Sequence, residues 1–423
     1  MFEKLLHYWY NYFEKTISKI ERWSMNCFKK CYCRLFQTAF RLMLPFMPYR
    51  EPKILDTNDD VVKLFEDNKI GRVLLVTDEG IYNLGLTTQL EQKLQKNNIK
   101  CEIYNKTVPN PTIDNIEEAL VQYKKGNCQA IIAFGGGSSM DCAKVVGARV
   151  ANPKKSVEQM KGLLKVHGKM PLLVAVPTTA GTGSETTLAA VITNAQTKDK
   201  YAINAFPLIP RYALLDENLT LKLPPHITST TGMDALTHAV EAYIGKSTTP
   251  KTRRCALEAT KLIFENLEVV YKDGQNKIAR KNMLKAAYLA GVAFTKSYVG
   301  YVHAIAHSLG GEYRVPHGLA NAVILPYMLK AYGRSAEKKL KKMAVYVGLV
   351  DKDTKASDAA KIFIEKIEQM NKNMNIPNHI PEIKVEDIPR LSKHAAKEGN
   401  PLYPVPKEMD AKELEAIYKQ ISK

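Results

Sequence analysis

Residues 130–150 read AIIAFGGGSSMDCAKVVGARV, and this stretch determines how the first half of the chain folds. Its first five residues form a short apolar run, a pattern typical of a fully buried strand. Three glycines follow at once, and the good helix formers after them predict a helix over residues 142–150. A buried strand that turns directly into a helix is the unit from which parallel α/β sheets are built.

The same alternation of strand and helix extends to both sides of this stretch. Short apolar runs predict further strands at residues 72–76, 101–104, 172–176, 200–203 and 212–215. Amphipathic patterns predict helices at residues 84–95 and 113–123. We therefore expect a parallel sheet with right-handed crossovers, whose ligands bind at the carboxyl ends of the strands. Pro224 and Pro225 mark the end of this α/β region, because the pattern beyond them is helical.

Two glycine-rich loops occupy those carboxyl ends. Residues 135–141, GGGSSMD, follow a buried strand and open a helix, so the free amides of the helix N-terminus favour an anion such as a pyrophosphate. Residues 177–185, PTTAGTGSE, could bind phosphate or ribose through hydroxyls and amides. The alternatives are a flexible loop at the first position and a capped helix start at Ser184 in the second.

The second half of the chain carries acidic and imidazole side chains at helical spacing. Asp234 and His238 are four residues apart in TGMDALTHAVEAY, and His303 and His307 have the same spacing in YVHAIAHSLGG. Residues four apart project from one helix face. With the Pro-His-Gly at 316–318, these pairs predict a site for a divalent transition metal. Each pair taken alone is more often a packed or solvated surface feature than a metal site.

Composition limits the function classes. The charge is +18, from 61 Lys and Arg against 43 Asp and Glu, which favours anionic ligands such as phosphates. The sequence has no zinc knuckle, basic zipper or RNP motif, so we expect no nucleic-acid partner. Seven cysteines form an odd set without framework spacing, which is typical of a reducing, cytoplasmic location.

Residues 1–50 differ from the rest. Nine Lys or Arg against three Glu leave this stretch at +6, and apolar residues recur near helical spacing. The pattern predicts a basic amphipathic helix and a second short helix at residues 32–44. Two interpretations are open: attachment to an anionic membrane surface, and an arm that docks on the protein body or on another subunit. No proposed ligand or cofactor contact lies in these residues.

The motifs GGGSxMDxAK, PTTAGTGSE, GMDALTHAVEAY, and HxxxH with PHGLANA resemble those of the iron-containing, group III alcohol dehydrogenase family. The resemblance runs from about residue 51 to the end. It implies a dehydroquinate-synthase-like fold of the α/β plus all-α class. The implied organisation is an extension at residues 1–50, a dinucleotide-binding domain at 51–223 and a helical metal-binding domain at 224–423, with the active site in the cleft between the domains.

Carried over position by position, the resemblance assigns roles to individual residues. It implies that the metal ligands are Asp234, His238, His303 and His317. His307 is then the histidine beside the nicotinamide, and Phe294 lines the substrate pocket. The implied cofactor contacts are Asp78, Asn110, Gly136, Gly137, Ser138, Asp141, Thr178, Thr179, Thr182 and Lys200. Because a carboxylate at Asp78 would repel a 2′-phosphate, we expect NAD rather than NADP.

The implied activity is hydride transfer between a primary alcohol or aldehyde and NAD, with the substrate oxygen polarised by Fe²⁺; Zn²⁺ suits the same ligands. The alternatives are a glycerol or diol dehydrogenase, a dehydroquinate-synthase-like enzyme, and a non-enzymatic filament or membrane scaffold. Ala189 replaces an asparagine of some diol-using members, and Tyr298 and Tyr301 add bulk before His303. These departures argue against a small diol. We expect a homodimer or higher homo-oligomer.

Overall fold

The computed structural model describes residues 27–197 and 199–423, with side chains placed from residue 30 onward. These residues form two compact units: one spans Pro48–Thr220, and the other joins residues 27–47 to Leu221–Lys423. The second predicted helix of the extension is present as α1, Cys27–Met43. The first predicted amphipathic helix of the extension falls in residues 1–26, outside the described residues.

The described residues of the first unit form nine strands. They are β1 Lys53–Leu55, β2 Arg72–Val76, β3 Lys100–Tyr104, β4 Ala130–Gly135, β5 Gly162–Leu163, β6 Leu172–Pro177, β7 Ala189–Thr193, β8 Lys200–Asn204 and β9 Tyr212–Leu214. Six of them form one sheet in the order β1-β9-β6-β4-β2-β3, and every pairing in it is parallel. The predicted parallel sheet is confirmed. The chain runs from β2 to β3 at one edge of the sheet and then returns to β4 on the other side of β2. The strand order therefore reverses at β2 and β4, and ligands of such sheets bind at this position.

The prediction for residues 200–203 was incomplete. This strand lies outside the main sheet, in a small three-stranded sheet ordered β5-β8-β7, where it pairs antiparallel with β7. The sequence pattern had not indicated β7. Its burial alternates along the strand, as expected where one face packs on the protein and the other does not.

Five helices accompany these strands: α2 Asn58–Asp67, α3 Glu79–Asn83, α4 Thr88–Lys96, α5 Ile113–Lys125 and α6 Gly137–Ala151. Two boundaries differ from the prediction. The helix predicted at residues 84–95 begins only at Thr88, because Gly85 adopts φ +69° and turns the chain between α3 and α4. α6 begins at Gly137 rather than at residue 142, so the glycine loop itself forms the first helical turn.

Every regular element assigned within residues 221–423 is helical, as predicted. The helices are α7 Pro225–Ile244, α8 Pro250–Lys272, α9 Lys277–Ser297, α10 Tyr301–Tyr313, α11 His317–Tyr332, α12 Arg334–Tyr346, α13 Ala356–Asn373, α14 Ile388–Gly399 and α15 Ala411–Ile421. α7 packs against α8, α9 and α11, so most of its residues are buried. Among the described residues, no helix has the length and apolar character needed to cross a membrane.

Candidate active site

Helices α7, α10 and α11 bring the predicted metal-binding residues together. Asp234 and His238 lie one turn apart on α7, and His303 lies on α10. All three side chains are buried, and one potential ligand atom from each lies within 4.8 Å of the others. His317 is the first residue of α11. Gly318 permits this approach, because a Cβ there would lie 2.5 Å from the carbonyl oxygen of Thr230 on α7.

The spacing of the ligand atoms fits one divalent ion. The Oδ1 atom of Asp234 lies 3.8 Å from Nε2 of His303 and 3.6 Å from Nε2 of His317. Tetrahedral ligands at the usual Zn–N distance of about 2.1 Å would be about 3.4 Å apart, close to both separations. Burial and the neighbouring imidazoles of His238 and His317 lower the pKa of His303 well below its ordinary value, which favours the neutral form that binds metals.

A residue that the sequence analysis did not select lies among these ligands. The Nδ2 atom of the buried Asn321 is 2.7 Å from Asp234 Oδ1, 3.2 Å from His303 Nε2 and 3.1 Å from His317 Nε2. The amide nitrogen of Asn321 therefore lies near three atoms that would also face a bound cation. Its position is a further sign that these three ligand atoms converge on one point. The signal in the sequence was its position four residues after His317 on the same helix.

Glu241, also not selected, holds His303 in place. Its buried carboxylate lies 2.6 Å from Nδ1 of His303 and accepts hydrogen bonds from the backbone amides of Gly300 and Val302 at 2.8 and 2.9 Å. When Glu241 is ionised, its carboxylate can only accept, so Nδ1 of His303 carries the hydrogen and Nε2 is left to bind a metal. Gly300 is required here, since a Cβ would lie 2.6 Å from the Glu241 carboxylate. Burial raises the pKa of Glu241 to about 8, and a nearby cation would favour its charged form.

Phe294 and Tyr301 have different surroundings from each other. The Phe294 ring stacks on His238 with centroids 4.1 Å apart and an angle of 12°. Tyr301 is fully buried, and its hydroxyl bonds to Asn400 and to the backbone of Met409. The bulk that Tyr301 adds before His303 therefore lies in the core of the helical unit.

His307 lies next to the metal-binding residues but is not one of the converging set. Its ring stacks on His317 at 5.3 Å, and its side chain is 42% exposed. Its Nδ1 atom lies 2.6 Å from Glu398 on α14, and the same carboxylate oxygen accepts a hydrogen bond from the Tyr403 hydroxyl at 2.7 Å. This contact fixes the tautomer, leaving Nε2 as the nitrogen that can take up a proton. No local pattern marks Glu398, which is 91 positions from His307.

In the first unit, the predicted nucleotide-binding residues surround the N-terminus of α6. Gly136 caps this helix without a side-chain hydrogen bond, so the first amides of the helix point outward to receive an anion. The Asn110 amide donates to Ser138 Oγ at 3.3 Å, and the Lys200 Nζ atom donates to Asn110 Oδ1 at 2.7 Å. These contacts place polar groups and one cation beside the loop.

The second glycine-rich loop lies against the first. The Thr178 amide donates to the Gly135 carbonyl at 3.2 Å. A Cβ on Gly136 would lie 3.8 Å from Thr179, and one on Gly137 would lie 3.3 Å from Thr182. The hydroxyl-bearing loop and the glycine loop thus share one surface. The predicted capped helix at Ser184 is only the short 3-10 turn Ser184–Thr186.

Asp78 and Asp141 approach α6 from different sides. Asp78 caps α3 by accepting from the Ile81 amide at 2.9 Å, and Ser139 Oγ donates to its other oxygen at 3.4 Å. Asp141 is turned toward the protein, where it accepts from Ser184 Oγ at 3.0 Å and from the Val191 amide at 2.9 Å. Its visible contacts therefore join the two loops.

Lys144, a residue that the sequence analysis did not select, links α6 to the second glycine-rich loop and to the start of β7. Its fully buried Nζ atom donates to Ser184 Oγ, Thr187 Oγ1 and the Ala189 carbonyl at 2.8, 2.8 and 2.9 Å. Burial lowers the pKa of Lys144 to about 8, although the neighbouring carboxylates of Asp141 and Glu185 act in the opposite direction. The Lys of GGGSxMDxAK is therefore an internal link rather than a surface cation.

Comparisons with known proteins agree with this geometry. A family model described as iron-containing alcohol dehydrogenase matches residues 54–217, and one for the C-terminal part of the Fe-containing alcohol dehydrogenase family matches residues 228–422. The chain is 39% identical over 328 residues to alcohol dehydrogenase 4 of Saccharomyces cerevisiae, covering 77% of this chain and 84% of that protein. It is 35% identical over 385 residues to 1,3-propanediol dehydrogenase of Citrobacter freundii, covering 90% and 98%. A solved structure of a 1,3-propanediol oxidoreductase superposes with a TM-score of 0.84 at 34% identity, covering 88% of this chain and 98% of that one.

Proposed function

Because this chain belongs to the iron-containing alcohol dehydrogenase family, a family of metal-dependent, NAD-linked oxidoreductases, we propose that it interconverts small primary alcohols and their aldehydes. The balanced reaction is alcohol plus NAD⁺ giving aldehyde, NADH and one proton. The observation that carries this proposal is the convergence of a buried carboxylate and imidazoles on one point.

In the proposed site, the divalent ion is held by four residues: Asp234, His238, His303 and His317. Membership of the family implies that this ion is iron. The donor set of one carboxylate and neutral imidazoles suits such an ion and leaves it a net positive charge. When bound, the ion supplies Lewis acidity that lowers the pKa of the substrate hydroxyl. Glu241 and Asn321 orient the ligands, and the Phe294 ring restricts His238 to one orientation.

We assign to His307 the transfer of the hydroxyl proton toward solvent. Its partial exposure gives it access to water, and the contact with Glu398 prepares its Nε2 atom to accept a proton. The carboxylate also stabilises the imidazolium that forms, as expected for a general base oriented by an acid. NAD, when bound, would supply the acceptor for the hydride that leaves the substrate carbon.

The cofactor is NAD, and we propose that its pyrophosphate binds at the N-terminus of α6. Ser138, Asn110 and Lys200 lie beside this helix end, and the hydroxyls of Thr178, Thr179 and Thr182 line the adjacent loop. Asp78, at the carboxyl end of β2, is placed to accept hydrogen bonds from the adenosine ribose. Asp141 contributes by joining the two loops.

The direct test combines metal analysis with kinetics. Protein purified without oxygen should contain close to one iron per chain, and it should reduce NAD when supplied with short primary alcohols. Chelation should abolish this activity, and Fe²⁺ should restore it. A protein that binds NAD and iron but oxidises no alcohol and reduces no aldehyde would refute the proposal.

A small diol is a second candidate, because the Citrobacter freundii relative is a 1,3-propanediol dehydrogenase. Ala189 argues against it, since a methyl group at that position offers a diol no hydrogen bond. Comparing kcat/KM for propane-1,3-diol and for propan-1-ol decides between the two. A clear preference for the diol would favour the second candidate.

We further propose that the protein acts in a reducing compartment as a homo-oligomer. Four cysteines of the described residues, Cys31, Cys101, Cys128 and Cys142, are free thiols, which supports the first part. Light scattering tests the second part. Sedimentation with anionic vesicles tests whether residues 1–50 also contact a membrane.

A further inference from the structure

Helix α1 lies outside the residues matched by either family model, yet it packs on the helical unit that carries the metal-binding residues. Cys33, Gln37, Leu44 and Met47 are all buried and follow helical spacing along one side of the segment. The opposite side is open, with Leu42 69% exposed. One face of this amphipathic segment is therefore buried against the rest of the chain.

Two side chains of α1, those of Gln37 and Arg34, donate hydrogen bonds to one irregular segment, residues 401–408. Gln37 Nε2 donates to the carbonyls of Pro401 and Tyr403 at 3.3 and 2.9 Å. Arg34 donates to the carbonyls of Val405 and Pro406 at 2.8 and 3.1 Å, and it forms a 2.8 Å ion pair with the buried Glu408. The segment contains three prolines, which donate no backbone hydrogen bonds. Gln37 and Arg34 thus donate hydrogen bonds to backbone carbonyls of this segment, whose prolines have no N–H groups to donate.

This segment leads directly to His307. The Tyr403 hydroxyl donates to Glu398 at 2.7 Å, and Glu398 contacts His307 Nδ1 at 2.6 Å. Gln37 fixes the backbone of Tyr403, and Tyr403 fixes the carboxylate that orients His307. Three consecutive contacts therefore connect α1 to the histidine to which we assign proton transfer.

A second connection runs through aromatic rings. Phe40 of α1 meets Tyr298 edge to face at 5.1 Å, and Tyr298 lies 6.3 Å from Tyr403. Tyr298 has φ +61°, a conformation that a bulky residue adopts only when its surroundings hold it there. Its amide ends α9 by donating to Phe294, whose ring stacks on His238. Phe40 thus supports the position of a strained residue adjacent to the proposed substrate site.

We propose that α1 is an internal brace that positions His307, through residues 398–408, and Tyr298, through Phe40, and so controls both proton transfer and the size of substrate accepted. This proposal rests on the proposed function, in which His307 carries the proton. The brace would give α1 a role in the active site although no proposed ligand or cofactor contact lies in it. Its residues touch neither substrate nor metal, so they act as positioning residues.

The test uses point variants of the full chain, because removing α1 would expose a large part of the helical unit. Gln37→Ala deletes the two bonds to the 401–403 backbone, and Phe40→Ala deletes the ring contact with Tyr298. Phe40→Tyr keeps the ring and should restore wild-type behaviour. Phe46→Ala is the matched control, since this ring lies in the same part of the chain but is 73% exposed.

Three measurements separate a brace from a merely structural role. Amide hydrogen exchange over residues 398–409 should be faster in Gln37→Ala by about three- to thirtyfold, the range typical of coupling between neighbouring elements. kcat should fall by a similar factor in both alanine variants, with the KM for NAD and the iron content unchanged. Phe40→Ala should also lose discrimination between short and branched alcohols. Phe46→Ala should match the wild type throughout.

The readouts also separate this proposal from the proposed function. If the wild type transfers no hydride, the proposed function fails. The brace is then tested by amide hydrogen exchange and by the rate at which diethyl pyrocarbonate modifies His307. Faster exchange and altered His307 reactivity in Gln37→Ala would support it. Unchanged exchange in this variant, or faster exchange with wild-type turnover and wild-type His307 reactivity, would overturn it.

Discussion

Replacement of Glu241 should weaken metal binding although this residue is not itself a proposed ligand. Three donors face its carboxylate: the Gly300 and Val302 amides and the His303 ring. Glu241→Ala would leave all three buried without an acceptor, at about 1–3 kcal/mol each. The sum, about 3–9 kcal/mol, approaches the whole stability of a typical domain, so the alanine variant should fold poorly.

Glu241→Gln is the informative variant. The amide keeps the volume and one acceptor, but its nitrogen must face either the backbone amides or the His303 ring. If it faces the ring, it donates to Nδ1, and the hydrogen moves to the His303 Nε2 atom that should bind the ion. We therefore expect a loss of about 10- to 100-fold in iron affinity, the usual effect of replacing a carboxylate that orients a histidine ligand.

The assay is a chelator competition that gives the iron Kd, read by elemental analysis, with the unfolding midpoint of the metal-free protein measured in parallel. Glu268→Gln is the matched control, because this carboxylate pairs with Lys366 at 2.8 Å and contacts no proposed ligand. An iron Kd within threefold of the wild-type value in Glu241→Gln would refute the reasoning, since it would show that His303 needs no carboxylate to hold its tautomer.

Three further predictions concern other parts of the chain. His303→Ala should lose bound iron, whereas His307→Ala should lower turnover and keep iron near one per chain; equal iron loss in both would contradict the ligand assignment. Asp78→Asn, which retains an acceptor for the Ile81 amide, should gain activity with NADP, and a wild type that uses NAD and NADP equally well would count against the role of this carboxylate. Burial raises the pKa of Glu185 to about 7, above its ordinary 4.5, so its contribution to stability should be present below about pH 4.5 and lost as the pH rises through about 7. Glu185→Gln should remove this slope, worth about 3 kcal/mol at most, from the pH dependence of the unfolding midpoint; an unchanged slope would place the titration elsewhere.

The sequence by itself determined most of the strands and helices and the acidic and imidazole side chains that share a helix face. Buried strands such as residues 130–134 and the helical pattern after Pro225 depend on hydrophobic periodicity, which is a local property. The pairs Asp234 with His238 and His303 with His307 are set by helix geometry alone. The glycine loops follow the same rule, because each comes directly after an apolar run whose length and composition already indicate a strand.

Only the tertiary structure decided which side chains meet across long separations in the chain. Glu398 approaches His307 over 91 positions, and Gln37 reaches Tyr403 over 366, so no sequence window contains either pair. The same limit applies to Tyr301, whose hydroxyl donates to Asn400, 99 positions away in the chain. A pattern states which face of an element is apolar, but the partner of that face depends on how the elements pack.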